Sequence, residues 1–280
     1  MFDTINFSIF AAVNTQEMKI LVTGSEGFIG KELVRTLHSM GHTVIGCDRK
    51  SLQEVSAIAK CNQSYALNGI KAVVHLAAQT SVFNNDIRQI EEDNILTFMD
   101  IVDFSNANGC RLVYASSSCA ANITSLYGLS KRFDEEFAAI YARNAVGVRF
   151  HNVYGPNQRE GTLLAVAMDC MAKGKPIKLY NNGKNLRHFT YIDDIVRGIV
   201  WLLPRDTKGI VNICSPEETS TLEFIEELQN YVPVKYELTD EIRNFDKELQ
   251  HVDHEKDLKA IEYTRLKAGL YKAMAKWNVD

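Results

Sequence analysis

The chain has 280 residues, room for one large α/β domain or one and a half ordinary ones. It is 46% hydrophobic and 24% charged, a globular composition with no run as long as a membrane span. A net charge of −4 and a pI near 6.0 give no electrostatic reason to expect nucleic acid as a partner.

The first 17 residues carry an apolar patch (Phe7 to Val13) but no basic start, so they read as an extension, expected to be disordered, rather than a secretory signal. Ile20 to Thr23 then reads as a buried strand. Gly24, Gly27 and Gly30 follow at three-residue spacing, and Leu33, Val34 and Leu37 recur at helical spacing behind them. Strand, glycine turn and helix together form a dinucleotide fingerprint. Gly24 permits the turn, Gly27 lets a pyrophosphate reach the backbone, and Gly30 lets helix and strand approach. Phe28 and Ile29 sit at the helix N-terminus, whose free N–H groups and positive dipole end suit phosphate.

His42 to Cys47 is the expected second strand, ending at Asp48. A carboxylate there accepts from the adenine-ribose hydroxyls and repels a 2′-phosphate. Arg49 and Lys50 beside it could accommodate that phosphate, so NAD is expected over NADP without being settled. A third parallel strand is hinted at only near Ser64–Leu67. Ala72 to Leu76 is a buried strand whose end, Leu76-Ala77-Ala78 and on to Ser81, is small enough for a cofactor to lie against. A helix over Asn94–Asn106 precedes a strand over Arg111–Ala115 that runs into Ser116, Ser117 and Ser118.

Tyr127 and Lys131 are four residues apart at the start of the next helix, and so share one face. An ammonium near a phenol favours the phenolate and makes the tyrosine a usable base. A serine hydroxyl from the preceding strand can bond the same substrate oxygen. Beyond a strand over Val146–Phe150, helices are expected at Ala165–Lys173, Asp193–Leu203 and Thr221–Asn230, the last capped by Ser220. Strands are expected at Ile177–Tyr180 and Gly209–Cys214. Asp193 and Asp194 read as helix N-terminal charges, and the tail from Asp246 as two charged helical pieces.

The six cysteines are scattered without C-x-x-C, and read as reduced thiols of a reducing, cytoplasmic compartment. No histidine set has ligand spacing; His251 and His254 have no third partner, so no metal is expected.

Several stretches carry a resemblance: Thr23–Gly30, His75–Ala78, Val113–Ser117, Tyr127–Lys131, Arg149-Phe-His-Asn-Val-Tyr-Gly-Pro156 and Arg187-His-Phe-Thr-Tyr-Ile-Asp-Asp194. Through them the chain resembles the extended short-chain dehydrogenases/reductases that act as nucleotide-sugar epimerases and dehydratases. The segment Leu179-Tyr180-Asn-Asn-Gly-Lys184 is most similar to UDP-glucuronate 4-epimerases.

The resemblance implies a doubly wound, Rossmann-like parallel sheet, with an NAD-binding domain over 18–150 and a returning strand near 209–214. It implies a small substrate domain from 151–208 and 215–280, and a homodimer through helices 94–106 and 131–143. It implies that Ser117 steadies the sugar oxygen, with Ser118 second to it, that Tyr127 is the acid–base group, and that Lys131 also holds the nicotinamide ribose. Phe150 lies beside the nicotinamide. Asn152, Arg187 and Arg243 serve the nucleotide diphosphate, Ser81 and Tyr180 count among the substrate-binding residues, and Arg159 could meet a uronate carboxylate.

The chain also departs from the pattern. Tyr127 comes only ten positions after Ser117, a shortened connection that leaves the sugar pocket more open. Asn152 stands where glucuronate enzymes carry threonine. His151 replaces an aromatic and reads as a packed residue. The acidic pair used for dehydration is replaced by Ser118 and Cys119. NAD-dependent C4 epimerisation of a nucleotide sugar, UDP-linked by preference, is the expected activity. A nucleotide-sugar reductase or decarboxylase is the alternative within enzymes, and a non-catalytic NAD-binding regulatory module the alternative outside them.

Overall fold

The computed structural model describes residues 17–48, 67–156, 158, 160–243 and 252–277. The N-terminal extension before Glu17, most of the region of the expected third strand, Arg49 and Arg159 lie outside the described residues.

The first half alternates strand and helix. β1 (Lys19–Thr23) leads into α1 (Phe28–Ser39) and β2 (Thr43–Cys47), then β3 (Ala72–His75). α2 (Thr97–Asn108) is entered through a short helical turn (Ile87–Ile90) and a π-helical segment (Glu91–Leu96). β4 (Arg111–Ser117), α3 (Leu126–Tyr141) and β5 (Ala145–Phe150) follow.

The second half is built of shorter pieces. β6 (Val153–Tyr154), α4 (Leu163–Ala172), β7 (Ile177–Leu179), β8 (Leu186–Arg187) and β9 (Thr190–Tyr191) precede α5 (Ile192–Leu202) and β10 (Gly209–Ile213). Then come β11 (Thr219–Ser220), α6 (Thr221–Leu228), β12 (Tyr236–Leu238) and α7 (Leu266–Ala275). α6 starts with the expected Ser220 cap, closed into a capping box by Glu223. In the charged tail, a 3₁₀ turn at His254–Lys256 and α7 are the helical pieces among the described residues.

Among the described residues, six strands form one parallel sheet in the order β10-β5-β4-β3-β1-β2. Ile20, Val22, Val74, Val113 and Val148 face α1 and α5 in one core, while Leu21, Val73, Leu112 and Tyr114 face α2 and α3 in another. Burial on both faces is why these strands are continuously apolar rather than alternating. A third core gathers Tyr154, Leu164, Tyr191, Phe224 and Leu270 from the second half. The chain leaves β1 toward β2 on one side and returns to β3 on the other. A crevice therefore opens at the carboxyl ends of β1 and β3, where doubly wound sheets bind ligands.

Candidate active site

The glycine turn lies in that crevice. Gly24 has φ +71°, and its N–H donates to the Cys47 carbonyl at 2.8 Å. A Cβ on Gly24 would stand 2.8 Å from the Ala77 nitrogen, and one on Gly30 2.0 Å from the Gly24 oxygen. Strand, turn and helix therefore close to distances that only glycine permits. Gly27 caps α1, so the first N–H groups of that helix open onto the crevice. Asp48 accepts from the Glu26 N–H at 3.1 Å, which fixes the carboxylate beside the turn.

Across the crevice, Thr23 Oγ1 lies 2.7 Å from His75 Nδ1. Burial, aided by the Lys131 charge, pushes the His75 imidazole down to about 3, so it is neutral. Asn94, fully buried in the π-helical segment, accepts from the Gln79 N–H at 2.7 Å. Its amide donates to the Gln79 carbonyl at 3.0 Å and to Ser130 Oγ at 2.8 Å. The loop after β3 is thereby tied to α3. Inserted π turns recur at functional sites, but Asn94 carries no distinctive spacing that would mark it in the sequence.

Ser117 ends β4, and its hydroxyl accepts from the Cys119 N–H at 3.2 Å. The short 3₁₀ turn Ser118–Ala120 packs directly on the start of α3: a Cβ on Gly128 would lie 2.7 Å from the Cys119 oxygen. Ser125 caps α3, accepting from the Gly128 N–H at 3.1 Å. Nearly three turns into α3, Ser116 Oγ donates to Glu135 at 2.5 Å, and Arg149 donates to both Glu135 oxygens at 2.8 and 2.7 Å. This buried bidentate pair locks β4, β5 and α3 together. Lys131 Nζ donates to Asp134 Oδ2 at 2.9 Å, with both side chains buried.

One cavity of about 1510 Å³ joins these features. At one end it is lined by the glycine turn, Phe28, Ile29, Asp48 and Leu76-Ala77-Ala78; in the middle by Ser117, Ser118, Tyr127, Lys131 and Phe150; at the other end by Asn152, Tyr180, Arg187 and Arg243. Arg243 lies over the Tyr180 ring at 4.4 Å. Asn152 has φ +35°, and its buried Oδ1 has no hydrogen-bond partner among the described residues.

Ser81 is the described candidate that the cavity leaves out. Its hydroxyl accepts from the Phe83 N–H at 3.2 Å inside a turn, and Thr80 and Val82 line the wall instead. Cys119, Gln158 and Asn185 also line the cavity, and no spacing in the sequence marks them as binding residues. Asp193 and Asp194 open α5 outside the cavity; Asp194 is held by Arg197 and by Thr264. His151 is 2% exposed, and burial pushes it down to about 4, as a packed neutral imidazole. No group of metal-ligating side chains exists among the described residues.

The residues present fit a dinucleotide. The cradle is closed to a Cβ at Gly24 and Gly30, the helix N-terminus faces it, and the Asp48 carboxylate stands beside the turn.

Residues 20–214 match the model of the NAD dependent epimerase/dehydratase family. The chain is 30% identical to Protein CapI of Staphylococcus aureus over 76% of this chain and 83% of that protein. It is 27% identical to GDP-mannose 3,5-epimerase 1 of Oryza sativa subsp. japonica, over 76% and 68% respectively. It shares its fold with the UDP-glucuronic acid 4-epimerase of Bacillus cereus, solved with UDP-4-deoxy-4-fluoro-glucuronic acid and NAD. That likeness has a TM-score of 0.77 at 22% identity and covers 92% of this chain and 98% of that one.

Proposed function

The chain belongs to the NAD dependent epimerase/dehydratase family, and from that premise we propose that it inverts C4 of a nucleotide-diphosphate sugar, UDP-linked by preference. The observation that carries this reading is one continuous cavity. It runs from a dinucleotide cradle, past Ser117, Tyr127 and Lys131, to Arg187 and Arg243.

Each group has a task in that reading. The glycine turn and the first N–H groups of α1 hold the cofactor pyrophosphate, and Asp48 accepts from its ribose hydroxyls. Bound NAD supplies a centre that takes up a hydride and gives it back. Tyr127, as phenolate, takes the proton of the C4 hydroxyl and later returns it. Ser117 orients the same oxygen by a hydrogen bond. Arg187 and Arg243 hold the diphosphate, whose oxygens suit guanidinium geometry. The open wall left by the short Ser117–Tyr127 connection leaves room for the sugar to turn and present its other face.

The test is incubation with UDP-glucose, UDP-N-acetylglucosamine and UDP-glucuronate without added cofactor. One pair of C4 epimers interconverts. Stoichiometric consumption of added NAD(P)H would instead establish a reductase, and loss of carbon dioxide a decarboxylase. Absence of turnover with NAD retained would leave a binding module. Replacing Tyr127 with Phe abolishes turnover and leaves NAD bound; an active variant refutes the acid–base role.

A second reading, inversion at C3 or C5, is favoured by one observation. It needs a further proton-carrying group beside the keto sugar, and the Cys119 thiol lines the cavity next to Ser117. Turnover in deuterated water separates the two. C4 inversion leaves carbon-bound hydrogen unexchanged, while C3 or C5 inversion incorporates deuterium.

A further inference from the structure

Lys131 does not stand in the site as an isolated cation. Its ammonium donates to Asp134 Oδ2 at 2.9 Å, three residues on in α3, and the two side chains are 2% and 0% exposed. A buried ammonium without a counter-charge costs several kcal/mol, so a buried partner is a condition for placing it there at all. The other charged and titratable groups around the pair are otherwise engaged. Glu135, on the same helix, is spent on Arg149 of β5 and Ser116 of β4. Tyr114 of β4 keeps its proton, because burial and the nearby carboxylates raise it. His75 of β3 is neutral.

Resting on the reading of Tyr127 and Lys131 as the proton-handling pair, we propose that Asp134 is a positioning residue: it anchors the Lys131 ammonium inside the protein and moderates the charge that this ammonium exerts on Tyr127 and on the nicotinamide ribose.

Two features support it. Asp134 Oδ1 is buried with no hydrogen-bond partner among the described residues, so the carboxylate is held by the lysine more than by its surroundings. Burial also pushes the Asp134 carboxyl up to about 6, against the lowering by Lys131. With Asp134 ionised the pair is close to neutral, and the phenolate of Tyr127 gains little from it. With Asp134 protonated, or with the ammonium drawn onto the ribose hydroxyls, the full positive charge acts on the phenol. Asp134 takes no proton from the sugar; that proton stays with Tyr127.

The test compares the parent protein with Asp134→Asn, which keeps volume and an acceptor for the ammonium but removes the charge. Asp134→Ser carries the same test if the first variant does not fold, and Asp134→Glu restores the charge. The Tyr127 phenol is titrated by ultraviolet difference against Tyr127→Phe made in each background, with and without NAD. Loss of the carboxylate charge lowers the Tyr127 titration by about one unit, about tenfold more phenolate at a given pH, and Asp134→Glu moves it back. On an active enzyme, the acid limb of the kcat/KM profile moves to lower pH by the same amount while the sugar KM stays. An unmoved titration in a folded variant overturns the proposal, as does a uniform fall in kcat with the limb in place. The titration needs no turnover. An inactive protein whose Tyr127 still shifts refutes the epimerase reading alone, and an active one with an unmoved phenol refutes this inference alone.

Discussion

Replacing Gly30 with Ala places a methyl carbon 2.0 Å from the Gly24 carbonyl oxygen and 2.9 Å from both the Gly24 carbonyl carbon and Ser25 Cα. All three neighbours are backbone, so no side chain can swing aside. Cβ contacts essentially never fall below 3.0 Å. The start of α1 must therefore withdraw from the turn by about 1 Å, at a strain cost of about 1–3 kcal/mol. The same movement carries the first N–H groups of α1 away from the cofactor pyrophosphate. A hydrogen bond to a charged group is worth about 1.5–3 kcal/mol, so losing one weakens NAD by roughly ten- to 150-fold. Gly41→Ala is the matched control. Gly41 has a positive φ, +82°, which Gly30 does not, and nothing lies within 4 Å of its Cβ position. It should cost about 1–2 kcal/mol of stability for the left-handed backbone and leave NAD affinity intact. Isothermal titration of NAD-free protein, with denaturant unfolding alongside, measures both quantities. Parent-like NAD binding in Gly30→Ala, or an equal loss in Gly41→Ala, would refute the cradle as drawn.

Two further predictions concern acid stability and assembly. The folded His75 imidazole is pushed down to about 3, while the unfolded one keeps its ordinary value of 6.5, so the unfolded chain takes the proton first. The fold accordingly loses stability as pH falls from about 6.5, by about 2 kcal/mol at pH 5. Asp134, pushed up to about 6, acts the other way: its contribution is full below the ordinary carboxylate range and is lost as pH rises through 6. Only the His75 slope disappears in His75→Asn, so the stability difference between variant and parent changes between pH 7 and 5; parallel curves would sink this account. Exposed Leu96 leads into α2, and Ile140 stands 86% exposed on α3 beside Tyr141. A homodimer through these helices is expected, and Ile140→Glu should weaken it in sedimentation equilibrium; a monomeric parent at micromolar concentration would refute it.

The parts of the molecule legible in the sequence are those where one physical requirement dominates. Strands buried on both faces must be continuously apolar, and β1, β3 and β5 read as such. The glycine turn announces itself because contacts of 2.0 and 2.8 Å admit no side chain. The Ser220 cap is local chemistry, three residues from its Glu223 partner. Other features depend on pairing across the fold. β6 finds β9 and β8 finds β11 with two residues each, too short for any periodicity. Asn94 acts through the Gln79 backbone and Ser130, neither near it in sequence. Asp194 reads as an ordinary helix-start charge, yet it also ties the Thr264 segment to α5. Asp134 lies three residues from Lys131 on a helix, where most acid–lysine pairs are solvated, and burial alone distinguishes it.

The short connection between Ser117 and Tyr127 can be accommodated without disturbing the spacing of Ser117, Tyr127 and Lys131, because the loop does not set that spacing. Ser116 and Arg149 both bond Glu135, so the ends of β4 and β5 are registered on α3 from beneath. Above, the Ser118–Ala120 turn sits on Gly128, where a side chain would meet the Cys119 oxygen at 2.7 Å. Tyr127 and Lys131 are therefore held by the underside of the helix and by its cap, both independent of loop length. The cavity wall also takes in Arg88, Glu92 and Asp93, ahead of α2. The dinucleotide end and the Arg187–Arg243 end each have built contacts. The middle, where the sugar would lie, is bounded by a wall of mixed charge. Sugar choice is thus expected to respond to substitutions at Arg88 and Glu92, and cofactor and nucleotide affinity to be indifferent to them.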